Sequence, residues 1–206
     1  MNSKNKDFIL SLLCGFLSGI FLLIIIKNPY ATEFQGLVKY GSLLWLFPII
    51  FAVLFFAVIL TARTIFKKLV FIMQLGKFAE SGVLNTLIDL GVLNLLLWYF
   101  GATSEFWIAV MNIFAFAIAT INSYFWNKFW TFEGRVGVRS GEFATFFIVS
   151  SIGIAINTGM FYLGLRFLGP LLGLSLGTRV DAVKILATFI SMIWNFVGYK
   201  FIVFKR

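Results

Sequence analysis

Ser81, Asn85 and Asp89 stand four residues apart inside a long apolar run, so on a helix a hydroxyl, an amide and a carboxyl share one face. Polar groups are expensive in hydrocarbon, so their positions carry information. Counting 1.5 Å per residue from Lys77 places Asp89 roughly 18 Å along the helix, near the middle of a bilayer. An ionised Asp there costs about 2.5–3.5 kcal/mol on insertion scales, and it calls for a partner, water or a proton. The chemistry open to such a stripe is hydrogen bonding to a polar solute or to a neighbouring helix.

The same spacing returns later in the chain. Ser191, Asn195 and Tyr199 form a second stripe, and 72 positions earlier stand Ala119, Ser123 and Asn127, with Asn122 beside them. Asn157 follows Gly153 by one turn and falls 72 positions after Asn85. The expected cleft is lined by all four stripes and opens to the inner leaflet, with Lys77, Lys128 and Lys200 at its mouth and Arg135 and Arg139 beyond. Lysines there would act as point charges for a phosphate. Each residue also has a plainer reading. Ser, Asn and Gly on membrane helices serve as interhelical glue, and Lys at an inner helix end is a topology signal or snorkelling anchor. Glu80 reads as a solvated residue near the interface, and the Trp residues at 45, 98, 107, 126 and 130 as belt anchors near span ends.

The elements that must carry these residues are membrane helices. Of 206 residues 61% are hydrophobic and 12% charged, and the mean hydropathy is +0.98, which leaves too few polar groups to cover a water-soluble domain. With no His and one Cys, an internal disulfide, the usual zinc ligand sets and a Cys–His pair are excluded. Cys14 lies in an apolar run and reads as lipid-facing or packing filler. Six apolar runs have bilayer-spanning length: Phe8–Ile26, Ser42–Ala62, Lys77–Phe100, Phe106–Trp126, Phe143–Leu165 and Ala182–Ile202. The first follows Lys4 and Lys6 and reads as a retained span rather than a signal peptide. With the N-terminus inside, twelve basic residues face the cytoplasm and five face out, so both termini are expected to be cytoplasmic. The net charge of +9 is then a topology signal and does not point to nucleic acid.

Thr64–Leu75 alternates basic and apolar residues and reads as a short interfacial helix or a continuation of the second span. Glu133–Glu142 reads as a solvated turn, and Gly169–Asp181 as a long apolar outer loop.

Residues 75–132 and 147–204 align without a gap at an offset of 72. Asn85-Thr86 falls on Asn157-Thr158, and Lys128-Phe129-x-x-Phe132 on Lys200-Phe201-x-x-Phe204. Two spans per repeat relate the hairpins by an axis along the bilayer normal. The expected fold is therefore an all-α integral membrane protein of six transmembrane helices. An accessory two-helix hairpin (1–68) precedes a four-helix domain (69–206) built of two parallel-related hairpin repeats.

The chain resembles the GtrA-like family, whose membrane unit is also fused to some dolichyl-phosphate mannose synthases. The likeness rests on Gly82-Val-Leu-Asn85-Thr86-Leu-Ile-Asp89, on Asn122-Ser-Tyr-Phe-Trp-Asn127-Lys128-Phe-Trp130-Thr131-Phe132 and on Asn195-Phe-Val-Gly-Tyr199-Lys200-Phe-Ile-Val-Phe204, over about Leu75 to Phe204. Family members often carry Arg where this chain has Lys128 and Lys200, and the Phe8–Ala62 hairpin is not part of the usual four-span pattern. The resemblance implies a role in cell-surface polysaccharide or glycolipid assembly, moving a polyprenyl-phosphate-linked monosaccharide from the inner to the outer leaflet of the cytoplasmic membrane. It carries over no catalytic residue and no cofactor.

Asn85, Asp89, Asn122, Asn127, Lys128, Asn157, Asn195 and Lys200 are accordingly the expected contacts to a lipid-linked sugar. The alternative is a scaffold that recruits a membrane glycosyltransferase and transports nothing. A small cation or drug exporter is a further reading. An enzyme is disfavoured, because no soluble domain and no paired acidic motif offer a place for sugar-nucleotide chemistry. Four core spans make a thin wall around a headgroup, which a homodimer would thicken.

Overall fold

The computed structural model describes residues 3–28, 35–66, 69–101, 105–133, 141–164, 167 and 176–204, and every regular element among them is helical. In chain order these are α1 (Ser3–Lys27), a short α2 (Gln35–Val38), a 3₁₀ segment (Gly41–Leu46), α3 (Phe47–Ile65), α4 (Val70–Phe100) and α5 (Glu105–Trp126). A π-helical turn (Asn127–Thr131) follows α5. Next come α6 (Glu142–Leu163), α7 (Leu176–Gly198) and a second π-helical turn (Tyr199–Val203). Two compact units divide the chain, Met1–Glu133 and Gly134–Arg206.

Three helical segments are long and apolar enough to cross a membrane: Asn5–Lys27, Gly41–Ile65 and Val70–Phe100. They coincide with the first three expected spans. The other three expected spans coincide with α5, α6 and α7. Within these last two helices Glu142–Asn157 is a shorter apolar segment, and Phe189–Val203 is another that runs on through the second π-turn. The protein is an all-helical membrane protein.

In the first unit α1 is the central partner. Gly15 and Gly19 lie one turn apart on it, and a Cβ at either would run into α3 backbone, at Phe51 O and at Pro48 Cα. Small residues at this spacing let two helices approach until backbone touches backbone. Asp7 pairs with Arg63, Phe8 packs against Phe56, and Leu23 and Ile26 bury Leu44, so α1 and α3 run antiparallel. Along α4 the order is the same as along α1: Asp7 meets Lys77, Ser11 meets Glu80, Phe21 meets Gly91 and Asn28 meets Asn94. These two helices are parallel, as first and third spans of an up-and-down chain must be. Cys14, Phe55, Ile59, Leu84, Ile88, Ala119 and Trp130 close the core between them and α5. Cys14 is fully buried there, as packing filler rather than a lipid-facing group.

Two expectations change. Thr64–Leu75 is neither a separate interfacial helix nor a continuation of the second span. α3 ends at Ile65, and Val70 already belongs to α4, whose 31 residues span roughly 46 Å and so outrun a bilayer core of about 30 Å. α4 stops where Gly101 takes a left-handed conformation (φ 59°) and donates its N–H to Leu97 O at 2.9 Å. The expected outer loop Gly169–Asp181 is shortened from its far end, because α7 begins at Leu176. Its residues 169–175 lie outside the described residues, as do 134–140 of the expected turn Glu133–Glu142.

The second unit is an antiparallel hairpin of α6 and α7. Phe146 stacks on Tyr199 with ring centres 4.5 Å apart, Trp194 Nε1 donates to Val149 O at 3.0 Å, and Asn157 Nδ2 donates to Ser191 Oγ at 3.2 Å. Gly153 sits where a Cβ would overlap the Asn195 amide.

Candidate functional site: polar seams of the two hairpins

The ends of α5 and α7 share a local construction. Each helix passes into one π-turn, closed by Phe132 N–H to Asn127 O at 2.9 Å in the first unit and Phe204 N–H to Tyr199 O at 2.8 Å in the second. The closing pairs stand 72 positions apart. On each turn a lysine folds back over two rings: Lys128 Nζ lies 5.4 Å from the Tyr124 ring and 5.9 Å from Phe129. Lys200 Nζ lies 5.7 Å from Phe196 and 5.6 Å from Phe201. One extra residue per turn widens the helix, and such turns often mark functional positions.

The lysines differ in exposure. Lys128 is 0% exposed, and its ammonium donates to Tyr124 Oη at 3.1 Å. Lys200 is half-buried. Lys77 is not the free point charge expected at a cleft mouth. It is buried, 2.7 Å from Asp7 Oδ1 and 3.2 Å from Glu133 Oε1, and it reaches Trp130 O at 3.4 Å. Asp7 is 2% exposed and also pairs with Arg63 and accepts the Trp130 indole N–H at 3.1 Å. A carboxylate so placed answers two cations and one neutral donor, the condition under which buried charge is tolerated. Glu80 is likewise not a solvated interface residue: it is 3% exposed and accepts from Ser11 Oγ at 2.8 Å. Trp130, read as a belt anchor, is 1% exposed in the core, whereas Trp45 and Trp98 are more than half exposed, as belt residues are.

In the first unit Asn85 and Asp89 lie on α4, Asn122 lies on α5 and Asn127 opens the π-turn after it. Asn85 and Asp89 are half-buried, and an oxygen of each (Oδ1) is enclosed without a hydrogen-bond partner among the described residues. Asn122 accepts the Trp126 indole N–H at 3.1 Å through Oδ1, which leaves its enclosed Nδ2 unanswered. Asn127, 2% exposed, donates Nδ2 to Ser123 O at 2.8 Å, and its Oδ1 is unanswered. In the second unit Asn157 is tied to Ser191, while Asn195 packs against Gly153 with its Oδ1 unanswered.

Residues 77–204 match the family model described as the GtrA/DPMS transmembrane domain. The chain belongs to this family. The GtrA/DPMS match opens at Lys77 and ends at Phe204, so it takes in both hairpins and both π-turns and leaves α1, α3 and the first two turns of α4 outside. The chain is also similar to an uncharacterized membrane protein, YngA, of Bacillus subtilis (strain 168). The two are 32% identical over 133 residues, which is 65% of this chain and 80% of that one. No solved structure matches the chain.

Sequence reading missed the Asp7 cluster and the pairing of Asn28 Nδ2 with Asn94 Oδ1 at 2.6 Å. The available signal was an acid within the opening turns of a basic, apolar N-terminal helix. Its partners Arg63, Lys77 and Trp130 lie 56 to 123 positions away, which no local spacing reveals.

Proposed function

We propose that this protein carries a polyprenyl-phosphate-linked monosaccharide across the cytoplasmic membrane during assembly of a surface polysaccharide or glycolipid, with both of its own termini in the cytoplasm. The observation that carries the reading is the set of enclosed, unanswered polar atoms on Asn85 and Asp89, deep in the long apolar helix α4 of a GtrA/DPMS-family chain. Orphaned polar atoms inside a membrane helix cost free energy, and a hydroxyl-bearing headgroup offers what they lack. In this reading the four spans from α4 to α7 are two duplicated hairpins. The headgroup enters between polar residues at the inner end of a hairpin, and the lipid tail stays in the bilayer; Lys200, less enclosed than Lys128, is the phosphate-contact candidate of the second hairpin. Asn157, bonded to Ser191, positions α7 against α6. The N-terminal hairpin braces α4.

The test is reconstitution of the full chain in liposomes with a short-chain prenyl-phosphate glucose, reading its appearance on the far leaflet. Protein-dependent flipping that falls in Asp89→Asn, at matched amounts of folded protein, supports the reading. Bare-liposome rates in wild type refute it and favour a scaffold that recruits a glycosyltransferase.

A further inference from the structure

Two acids stand on the contact between α1 and α4, and their surroundings answer them very differently. Asp7 has Arg63, Lys77 and the Trp130 indole N–H around it. Glu80, one turn beyond Lys77 on α4, is 3% exposed, and its Oε2 accepts from Ser11 Oγ at 2.8 Å. Its Oε1 is enclosed with no hydrogen-bond partner among the described residues. Ser11 is itself fully buried. One turn further along the two helices come Cys14 and Leu84, both fully buried in the apolar core.

The charged groups on the elements around Glu80 are engaged elsewhere. On α1, Lys6 Nζ donates to Phe129 O at 3.0 Å, and Asp7 is paired as above. On α3, Arg63 is held by Asp7, and on α4, Lys77 lies between Asp7 and Glu133. On the π-turn after α5, Lys128 donates to Tyr124 Oη. No ion pair reaches Glu80 among the described residues, and the Cys14 thiol on α1 brings no positive charge. A carboxylate at this place is a buried anion answered by one neutral hydroxyl, which is the costly arrangement. A carboxylic acid keeps the Ser11 hydrogen bond through its carbonyl oxygen and leaves one hydroxyl to be answered, which costs less.

We infer that Glu80 is a proton-binding site, and that the bound proton lets α1 close on α4 at Ser11. The exchange is acid–base alone: the proton passes to water and returns from it, and no other bond is made or broken. The anion left behind lies beside the apolar core at Cys14 and Leu84, and hydrating it requires water between the helices. Proton occupancy and helix packing are thereby linked. The closed contact binds the proton more tightly than an opened one, so alkaline pH opens it. This site is separate from the lipid-linked sugar reading, and failure of either leaves the other standing.

The experiment uses the full chain in nanodiscs with isotope-labelled glutamate. Infrared spectra at neutral pH should show a carboxylic-acid C=O band that shifts with the label and is missing in Glu80→Gln. Asp89→Asn should leave the labelled band in place. Ser11→Ala should move it to higher frequency, because the carbonyl loses a donor, and misfolding does not produce that shift together with a retained acid band. Cys14 gives a second readout, its reaction with a small maleimide compared in wild type and Glu80→Gln at matched pH, so that the thiol's own ionisation cancels. The two rates should agree at neutral pH, and wild type should react several-fold faster at alkaline pH, since the glutamine is neutral at both. A folded wild type with no labelled acid band overturns the proton site, as does a band that persists in folded Glu80→Gln or stays unmoved in Ser11→Ala. Equal alkaline rates overturn its control of α1 packing. If Glu80→Gln fails to fold, the wild-type band and its Ser11→Ala shift decide the question by themselves.

Discussion

A buried carboxylate is tolerable when its charge and lone pairs are answered, and removal of the anion leaves the cations around it in worse trouble than the anion ever was. Asp7→Asn should therefore cost about 3–5 kcal/mol, because Lys77 and Arg63 keep their charges beside it. The double variant Asp7→Leu/Lys77→Met should lose less than the two single changes added together. A thermal melt of the detergent-solubilised protein gives both numbers, and strict additivity would show that the ion pair is not coupled. The two π-turn lysines should separate in the same way. Lys128→Ala removes an enclosed side chain and should lower the melting transition. Lys200→Ala, at a half-buried site, should leave the melt near wild type and weaken binding of a prenyl phosphate, more so at low salt. Salt-independent binding in Lys200→Ala and wild type alike would remove Lys200 from the phosphate site.

At the scale of elements, α1 and α3 cross with backbone close to backbone. Gly15 and Gly19 are required there by space rather than by dihedral angle, since added Cβ atoms would strike Phe51 O and Pro48 Cα, and backbone cannot swing aside as a side chain can. Gly15→Ala and Gly19→Ala should each destabilise by about 1–3 kcal/mol as the helices are pushed apart. Gly82→Ala, which has open space, is the control and should be neutral or slightly stabilising in helical propensity. A melt in which all three behave alike would contradict the crossing.

For the whole molecule, the distribution of basic residues sets the orientation to be tested. In a Cys14→Ser background, Ser104→Cys and Ser175→Cys should react with a membrane-impermeant maleimide in intact cells, although both positions lie outside the described residues. Labelling only after lysis would invert the assignment. The parallel run of α1 and α4 already requires an odd chain crossing between them, which α3 supplies.

Membrane residence, the helical class, the ends of most helices and the family were legible in the sequence, because they follow from local quantities: apolar length, spacing along one helix, and short motifs in order. The two π-turns fall on the paired motifs Lys128-Phe129-x-x-Phe132 and Lys200-Phe201-x-x-Phe204, but nothing in those motifs showed that the turns would be π-helical. What the sequence by itself could not decide was which polar residues are spent on one another. Asn85 and Asn157 look alike in one dimension, yet Asn85 Oδ1 is enclosed without a partner among the described residues and Asn157 is bonded to a serine hydroxyl. Lys77, Lys128 and Lys200 look like three equal rim charges, yet one is neutralised by Asp7, one is enclosed over Tyr124, and one is half-buried. Hydrogen bonding and charge pairing depend on contacts between residues tens of positions apart, with tolerances of a few tenths of an ångström, and only the packed helices fix those.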